Sequence, residues 1–279
     1  MFPSNELPTP MSNFKRYLVP PHKKVKLSDY DPDETPKFKS EAEADSAVDK
    51  QRAKLFELQQ LMYAEDKHSL LVVLQGMDAG GKDGTIRHIF TGVNPQACQV
   101  ASFKEPTEEE LHHDYLWRVH KVVPARRMIG IFNRSHYEDV LVVRVHGQIS
   151  KDETEHRFRQ INQFERLLYE NGTRILKFFL HISEDEQKAR LEERLKDPAK
   201  YWKVNPSDLK ERTHWDDYQK AYEDVFRNCS TKHAPWYIIP ANKKWYRNVV
   251  ISTIIVDTLK SLKMKYPKPE FDISKLKVQ

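Results

Sequence analysis

Between Glu41 and Asp66 the apolar residues Ala47, Leu55, Leu58, Leu61 and Met62 recur near helical spacing, which predicts a helix. Leu70-Leu71-Val72-Val73-Leu74 then form an unbroken apolar run that ends at Gly76. A short run of this kind suits a strand buried on both faces, as in a parallel sheet. The pattern continues with strands predicted over residues 99–103, 128–132, 174–182 and 236–239. Helices are predicted over 83–90, 107–120, 136–145, 151–170, 184–195, 210–228 and 243–264. Strands and helices in alternation predict an α/β fold, a parallel sheet covered by helices on both faces. Residues 1–40 are rich in Pro, Lys, Ser and Asp, lack periodicity and predict an extended arm. One domain over 41–268 and a polar, frayed tail over 269–279 complete the division.

Composition narrows the class without changing this picture. Of the 279 residues 31% are charged and 39% hydrophobic, as expected for a globular protein with a real core. The formal net charge of +5 is modest, so where the positive charges lie matters more than their number. Cys98 and Cys229 are far apart and in no metal-ligand spacing, which argues against a disulfide framework or a zinc site. Residues 1–21 carry no apolar run of signal-peptide kind, and the apolar stretches at 69–74 and 249–259 are too short to span a bilayer. A cytoplasmic protein with no membrane partner is expected.

The chemistry concentrates in Gly76-Met77-Asp78-Ala79-Gly80-Gly81-Lys82, between a predicted strand and a predicted helix. This is the G-x-x-x-x-G-K part of a phosphate-binding loop in the context that motif requires. Glycines let backbone N–H groups approach phosphate oxygens closely, and the following helix directs its positive end at the same anion. Lys82 adds a mobile point charge. A glycine-rich turn without a ligand is the plainer alternative. Two positions depart from an ordinary nucleotide triphosphatase. Asp83 follows the lysine where Ser or Thr would ligate magnesium, and Asn133 stands where an acid is expected at the end of a later strand. Asp78, inside the loop, is the replacement metal ligand, with Asn133 a weaker second.

Gly76-x-Asp78-x-x-Gly81-Lys82 and Asn133-Arg134-Ser135-His136-Tyr137 together resemble the second family of polyphosphate kinases. The resemblance runs on through Val93-Asn94-Pro95, Asp114-Tyr115-Leu116-Trp117-Arg118, Phe178-Phe179-Leu180-His181-Ile182-Ser183, the Arg194-to-Lys203 segment and Ala234-Pro235-Trp236-Tyr237. It covers about residues 25–268. It implies a three-layer α/β/α P-loop kinase fold like that of thymidylate kinase, with a helical lid over about 184–212. It also implies magnesium-dependent (or manganese-dependent) transfer between inorganic polyphosphate and adenine or guanine nucleotides, and assembly as a dimer or tetramer; no nucleic-acid partner is expected. Asn133, with Glu138-Asp139-Val140 following, resembles the subgroup that accepts both AMP and ADP.

An AMP or ADP acceptor already carries an anionic oxygen, so the reaction needs alignment and charge neutralisation rather than a general base. Arg134 directly follows a strand end, where ligands bind in open parallel sheets. Arg190, Arg194, Lys196, Lys200 and Lys203 surround a helix broken at Asp197-Pro198, and fit a lid whose arginines close on the transferring phosphate. The expected roles are therefore Lys82 and the amides of residues 76–83 for acceptor phosphates, Asp78 for the metal, and Arg134, Arg190 and Arg194 for the transferred group. Lys203 extends the phosphate track. Glu138 is either a polar contact to the nucleotide or a helix-end carboxylate. Lys23, Lys24 and Lys26 either lengthen the track or belong to the arm. His120, His136 and His146 are expected in core or capping roles. An ATP-dependent nucleoside monophosphate kinase and a non-catalytic polyphosphate or nucleotide sensor are the competing readings; the altered Asp83 and Asn133 positions weigh against the first.

Overall fold

A computed structural model describes residues 14–278. Helix α1 (Glu41–Glu65) leads into β1 (Ser69–Gln75), α2 (Lys82–Phe90) and β2 (Cys98–Ser102). Two single-turn helices, α3 (Glu108–Leu111) and α4 (Trp117–His120), precede β3 (Ile129–Asn133). After β3 come a 3₁₀ segment (His136–Val140), α5 (Val142–Val145) and the long α6 (Lys151–Glu170). The chain continues through β4 (Thr173–His181), α7 (Glu184–Lys196), α8 (Pro206–Glu211), α9 (Trp215–Cys229), β5 (Trp236–Pro240) and α10 (Lys244–Ser261).

All strand pairs are parallel and the order across the sheet is β2-β3-β1-β4-β5. Alternation along each strand sends Leu70, Val72 and Leu74 to one face, with Ile131, Phe178 and Ile239, beneath α1 and α10. It sends Leu71 and Val73 to the other, with Phe132, Phe179 and Trp236, beneath α6 and α9. This two-sided burial is why β1 reads as a continuous apolar run. With β1 central, the loop after it and the turn after β3 lie side by side at the carboxyl edge, where open parallel sheets bind ligands.

Three helices differ from the pattern read in the sequence. The predicted helix over 107–120 is two single turns, because Asp114 accepts a hydrogen bond from Leu116 N at 3.0 Å and offers the backbone a competing local partner. The predicted helix over 136–145 begins as a 3₁₀ turn capped by Ser135, whose Oγ accepts from Tyr137 N. The predicted helix over 210–228 is α8, a 3₁₀ turn at Arg212–His214, and then α9. There Arg212 reaches back to Glu184 O and Gln187 Oε1, which reorients the chain before α9 begins.

Of the predicted arm, residues 1–13 lie outside the described residues. From Phe14 onward it is held to the core: Phe14, Tyr17, Val19, Val25 and Leu27 are buried, and Leu18 bridges antiparallel to Tyr237. A segment that crosses a sheet edge buries isolated residues rather than a periodic stripe, so its sequence shows no period. Lying against β5, it also covers an edge that would otherwise expose unpaired backbone groups.

Candidate active site

The loop between β1 and α2 takes its shape from three backbone positions of positive φ. Gly76 has φ +152°, and a Cβ there would stand 2.9 Å from the Leu180 carbonyl oxygen of the neighbouring strand. Ala79 has φ +60°, and Gly81, which caps α2, has φ +95°. The loop therefore turns tightly and presents the first turn of α2, with its unsatisfied N–H groups and positive dipole end, toward the carboxyl edge of the sheet. Lys82 Nζ donates to the carbonyls of Gly76 at 2.7 Å and Met77 at 3.3 Å.

A cavity of about 630 Å³ opens over this loop. Asp78, Ala79, Gly80, Gly81, Lys82 and Asp83 line it from the loop, Asn133 and Arg134 from the end of β3, and Arg194, Lys203 and Asp208 from the segment after β4. Ser102, the last residue of β2, and Phe103 and Lys104 just past it also line it, and Trp202 stands at its rim 78% exposed.

Arg134 adopts φ +61°, unusual for a side chain of its size, and its N–H bonds to Leu74 O at 3.0 Å. Its Nη2 donates to Asp78 Oδ1 at 2.8 Å, so the turn after β3 is tied to the loop after β1. Burial works against its positive charge, but Glu138 and Asp78 outweigh burial and raise its pKa. Burial, with Arg134 adding to it, lowers Lys82 against the pull of Asp78, Glu138 and Asp83. Burial likewise raises Glu138, opposed by Arg134 and Lys82. The site is a compact, partly desolvated set of alternating charges in which cations face the cavity.

Asn133 Nδ2 donates to Asp83 Oδ1 at 2.7 Å. The amide therefore stands at the strand end and the carboxylate after the lysine, the reverse of the usual order of acid and hydroxyl. Among the described residues no group of three or more His, Cys, Asp or Glu side chains is placed to hold a metal. A hard cation that keeps several waters needs only one or two carboxylates when phosphates supply the rest, and Asp78 and Asp83 at the cavity floor meet that requirement.

The two arginines expected in a lid divide. Arg194 lines the cavity, its Nη1 held 3.2 Å from Asp208 Oδ2. Arg190 does not: it is 7% exposed and lies behind the loop, donating to the carbonyls of Ala79, Ala241 and Asn242 and to Glu186. Gly76, Met77 and Glu138 also stand behind the cavity floor rather than in it. Gln187, one turn before Arg190, donates to Asp78 O at 3.0 Å, so α7 grips the loop through two side chains on one face.

Sequence reasoning passed over a buried network beneath the Arg134 turn. Lys177 Nζ, on β4, donates to Glu165 Oε2 at 2.6 Å, to Tyr137 Oη and to Cys229 O, while Glu165 Oε1 accepts from Tyr137 Oη at 2.8 Å. His136 sits 3.2 Å from the same carboxylate, in a core role. All four side chains are buried. Burial alone would raise Glu165, but Lys177 and His136 hold it below the usual carboxylate range. The available signal was a lysine between the apolar pairs Ile175-Leu176 and Phe178-Phe179 of β4.

Strand, glycine loop, lysine and helix at the centre of a parallel sheet, beneath a cation-lined cavity, define a P-loop phosphotransferase. The family model described as polyphosphate kinase 2 matches residues 37–267. The AMP/ADP-polyphosphate phosphotransferase of Meiothermus ruber is 53% identical over 266 residues, 95% of this chain and all of that protein. The ADP-polyphosphate phosphotransferase of Rhodopseudomonas palustris is 44% identical over 91% of this chain and 92% of its own. A crystal structure of polyphosphate kinase 2 from Arthrobacter aurescens TC1 superposes with a TM-score of 0.90 at 42% identity, covering 97% of this chain and 96% of that one. The chain belongs to the polyphosphate kinase 2 family.

Proposed function

We propose that this protein moves phosphate from inorganic polyphosphate to AMP and ADP, giving ADP and ATP, and that the reaction runs in both directions. The observation that carries the proposal is the ring formed by Lys82, Arg134, Arg194 and Lys203 around one cavity, with the positive end of α2 in its floor. A phosphate chain carries about one negative charge per unit, and such a ring neutralises several units at once. Full-length similarity to a relative named for both acceptors supports the same reading.

The acceptor phosphate of AMP or ADP supplies its own anionic oxygen, so no residue is assigned as a general base. Lys82 and the loop amides of residues 78–83 hold acceptor phosphates; Arg134, steadied by Asp78, and Arg194, steadied by Asp208, face the transferred group. Arg190 acts from behind, fixing the loop through Ala79 O. Lys203, 4.9 Å from the Trp202 ring centroid, extends the track toward the rim, and the exposed indole offers a face for the base. A divalent cation, assigned as magnesium with manganese a substitute, would be held by Asp78 beside Asn133 and Asp83. It supplies further neutralisation of the phosphate oxygens. Among the described residues no helix is long and apolar enough to cross a membrane. The two free cysteines suit a reducing cytoplasm.

The test is to incubate the protein with polyphosphate, magnesium and either AMP or ADP, without ATP, and to follow products over time. AMP is expected to yield ADP and then ATP. If only ADP is converted, the dual-acceptor reading based on Asn133 falls; if neither is converted until ATP is supplied as donor, a monophosphate kinase replaces it.

A further inference from the structure

Arg247 occupies the first turn of α10, just before the apolar run from Val249, and is 1% exposed. Its side-chain partner is the adjacent Asn248, whose Oδ1 accepts from Nε at 3.2 Å and Nη2 at 2.9 Å; Nη1 has no partner. Among the described residues it forms no ion pair. What it touches is the phosphate loop. A Cβ added to Gly81 would collide with Nη1, and one added to Gly84 would stand 3.8 Å from Nη2. The guanidinium therefore fills the space behind the cavity floor that a side chain at 81 would need, and stands at contact distance from Gly84.

The neighbouring charge is of the same sign. Arg190 Nη1 lies 3.6 Å from the same point on Gly81, and Arg190 has Glu186 as its own counter-ion. Burial, with Arg190 adding to it, pushes Arg247 down to about 9. A buried cation without a carboxylate is costly to keep. Here it stands directly behind a floor that already presents the positive end of α2.

We propose that Arg247 is a positioning residue for the acceptor phosphates on the loop, a deliberately unneutralised charge behind Gly81 and Gly84 that raises the loop's affinity for polyanions. This rests on the reading that the loop holds phosphates. The charge acts through the loop backbone and does not touch the reacting atoms. It contributes to binding, so it changes KM for ADP, whose phosphates the loop holds, more than kcat.

Two variants separate charge from shape. Arg247→Met removes the charge and keeps much of the packing. Asn248→Asp keeps the arginine and neutralises it through the carboxylate that replaces its amide partner. Tripolyphosphate, as a probe of the loop, is titrated calorimetrically at fixed salt, with thermal unfolding to confirm the fold, and KM for ADP and kcat are measured at saturating polyphosphate. Each variant is expected to bind tripolyphosphate about tenfold more weakly, the size of a partly screened interaction between charges several ångströms apart. KM should rise to match while kcat stays near the parental value, and Arg247→Lys should restore most of the affinity. Asn248→Asp is also expected to unfold at a higher temperature without anion, because the buried charge gains a partner. If the parent binds tripolyphosphate and a folded Arg247→Met or Asn248→Asp variant binds equally well, the role given to Arg247 is wrong. If the parent itself does not bind, the loop reading fails and this inference fails with it.

Discussion

Replacing Lys82 with Ala is expected to lower kcat/KM for polyphosphate-dependent ADP phosphorylation by about 10²–10³-fold, the usual effect of losing one preorganised electrostatic donor. The expectation follows from where the ammonium is held. Nζ is anchored on the Gly76 and Met77 carbonyls just behind the floor of a cavity that Lys82 itself lines with Arg134, Arg194 and Lys203, so its charge is held fixed beside the phosphate track. It is also partly desolvated, which strengthens its interaction with an anion relative to water. The fold should not suffer, because burial already disfavours the charged lysine. Steady-state kinetics with thermal unfolding of the same samples checks both halves. Near-parental turnover in a folded variant would remove the loop from the mechanism.

The largest expected effect on stability lies in the network under the Arg134 turn. Lys177→Met should cost about 3–5 kcal/mol, because Glu165 would remain fully buried with its principal counter-charge gone. Adding Glu165→Gln to Lys177→Met should recover much of that loss, since no buried anion then remains. Urea unfolding of the two single variants and the double variant gives the coupling energy directly. Strict additivity would show that the pair does not act as a unit. Activity should fall alongside stability in the single variant: Tyr137 and His136 hang from this network and directly follow Asn133-Arg134-Ser135.

The residues that carry chemistry were legible in unequal measure. The loop at 76–82 declares itself because its backbone needs glycine at 76 and 81, where a Cβ would collide with Leu180 and Arg247. β1 declares itself as a strand buried on both faces because both faces are covered. Arg194 and Arg190 were legible as one cluster, but their separate orientations were not. Gln187 and Arg190 sit on the face of α7 that meets the loop, while Arg194, a turn further on, reaches the cavity. Lys177 and Arg247 were silent because a charged residue within a strand or helix does not reveal its partners; Glu165 and Gly81 come from distant parts of the chain. Helix boundaries were lost at Asp114 and Ser135 for a local reason, since short polar side chains there capture backbone N–H groups.

Transfer between polyphosphate and nucleotide is tested by following the phosphate itself. Uniformly radiolabelled polyphosphate is supplied with unlabelled AMP, magnesium and the protein, without ATP, and the nucleotides are separated. Label in the β-phosphate of ADP and then in the terminal phosphates of ATP is expected, with little orthophosphate released. Unlabelled nucleotides, or orthophosphate released at the same rate with and without AMP, would contradict transfer between polyphosphate and nucleotide at this site.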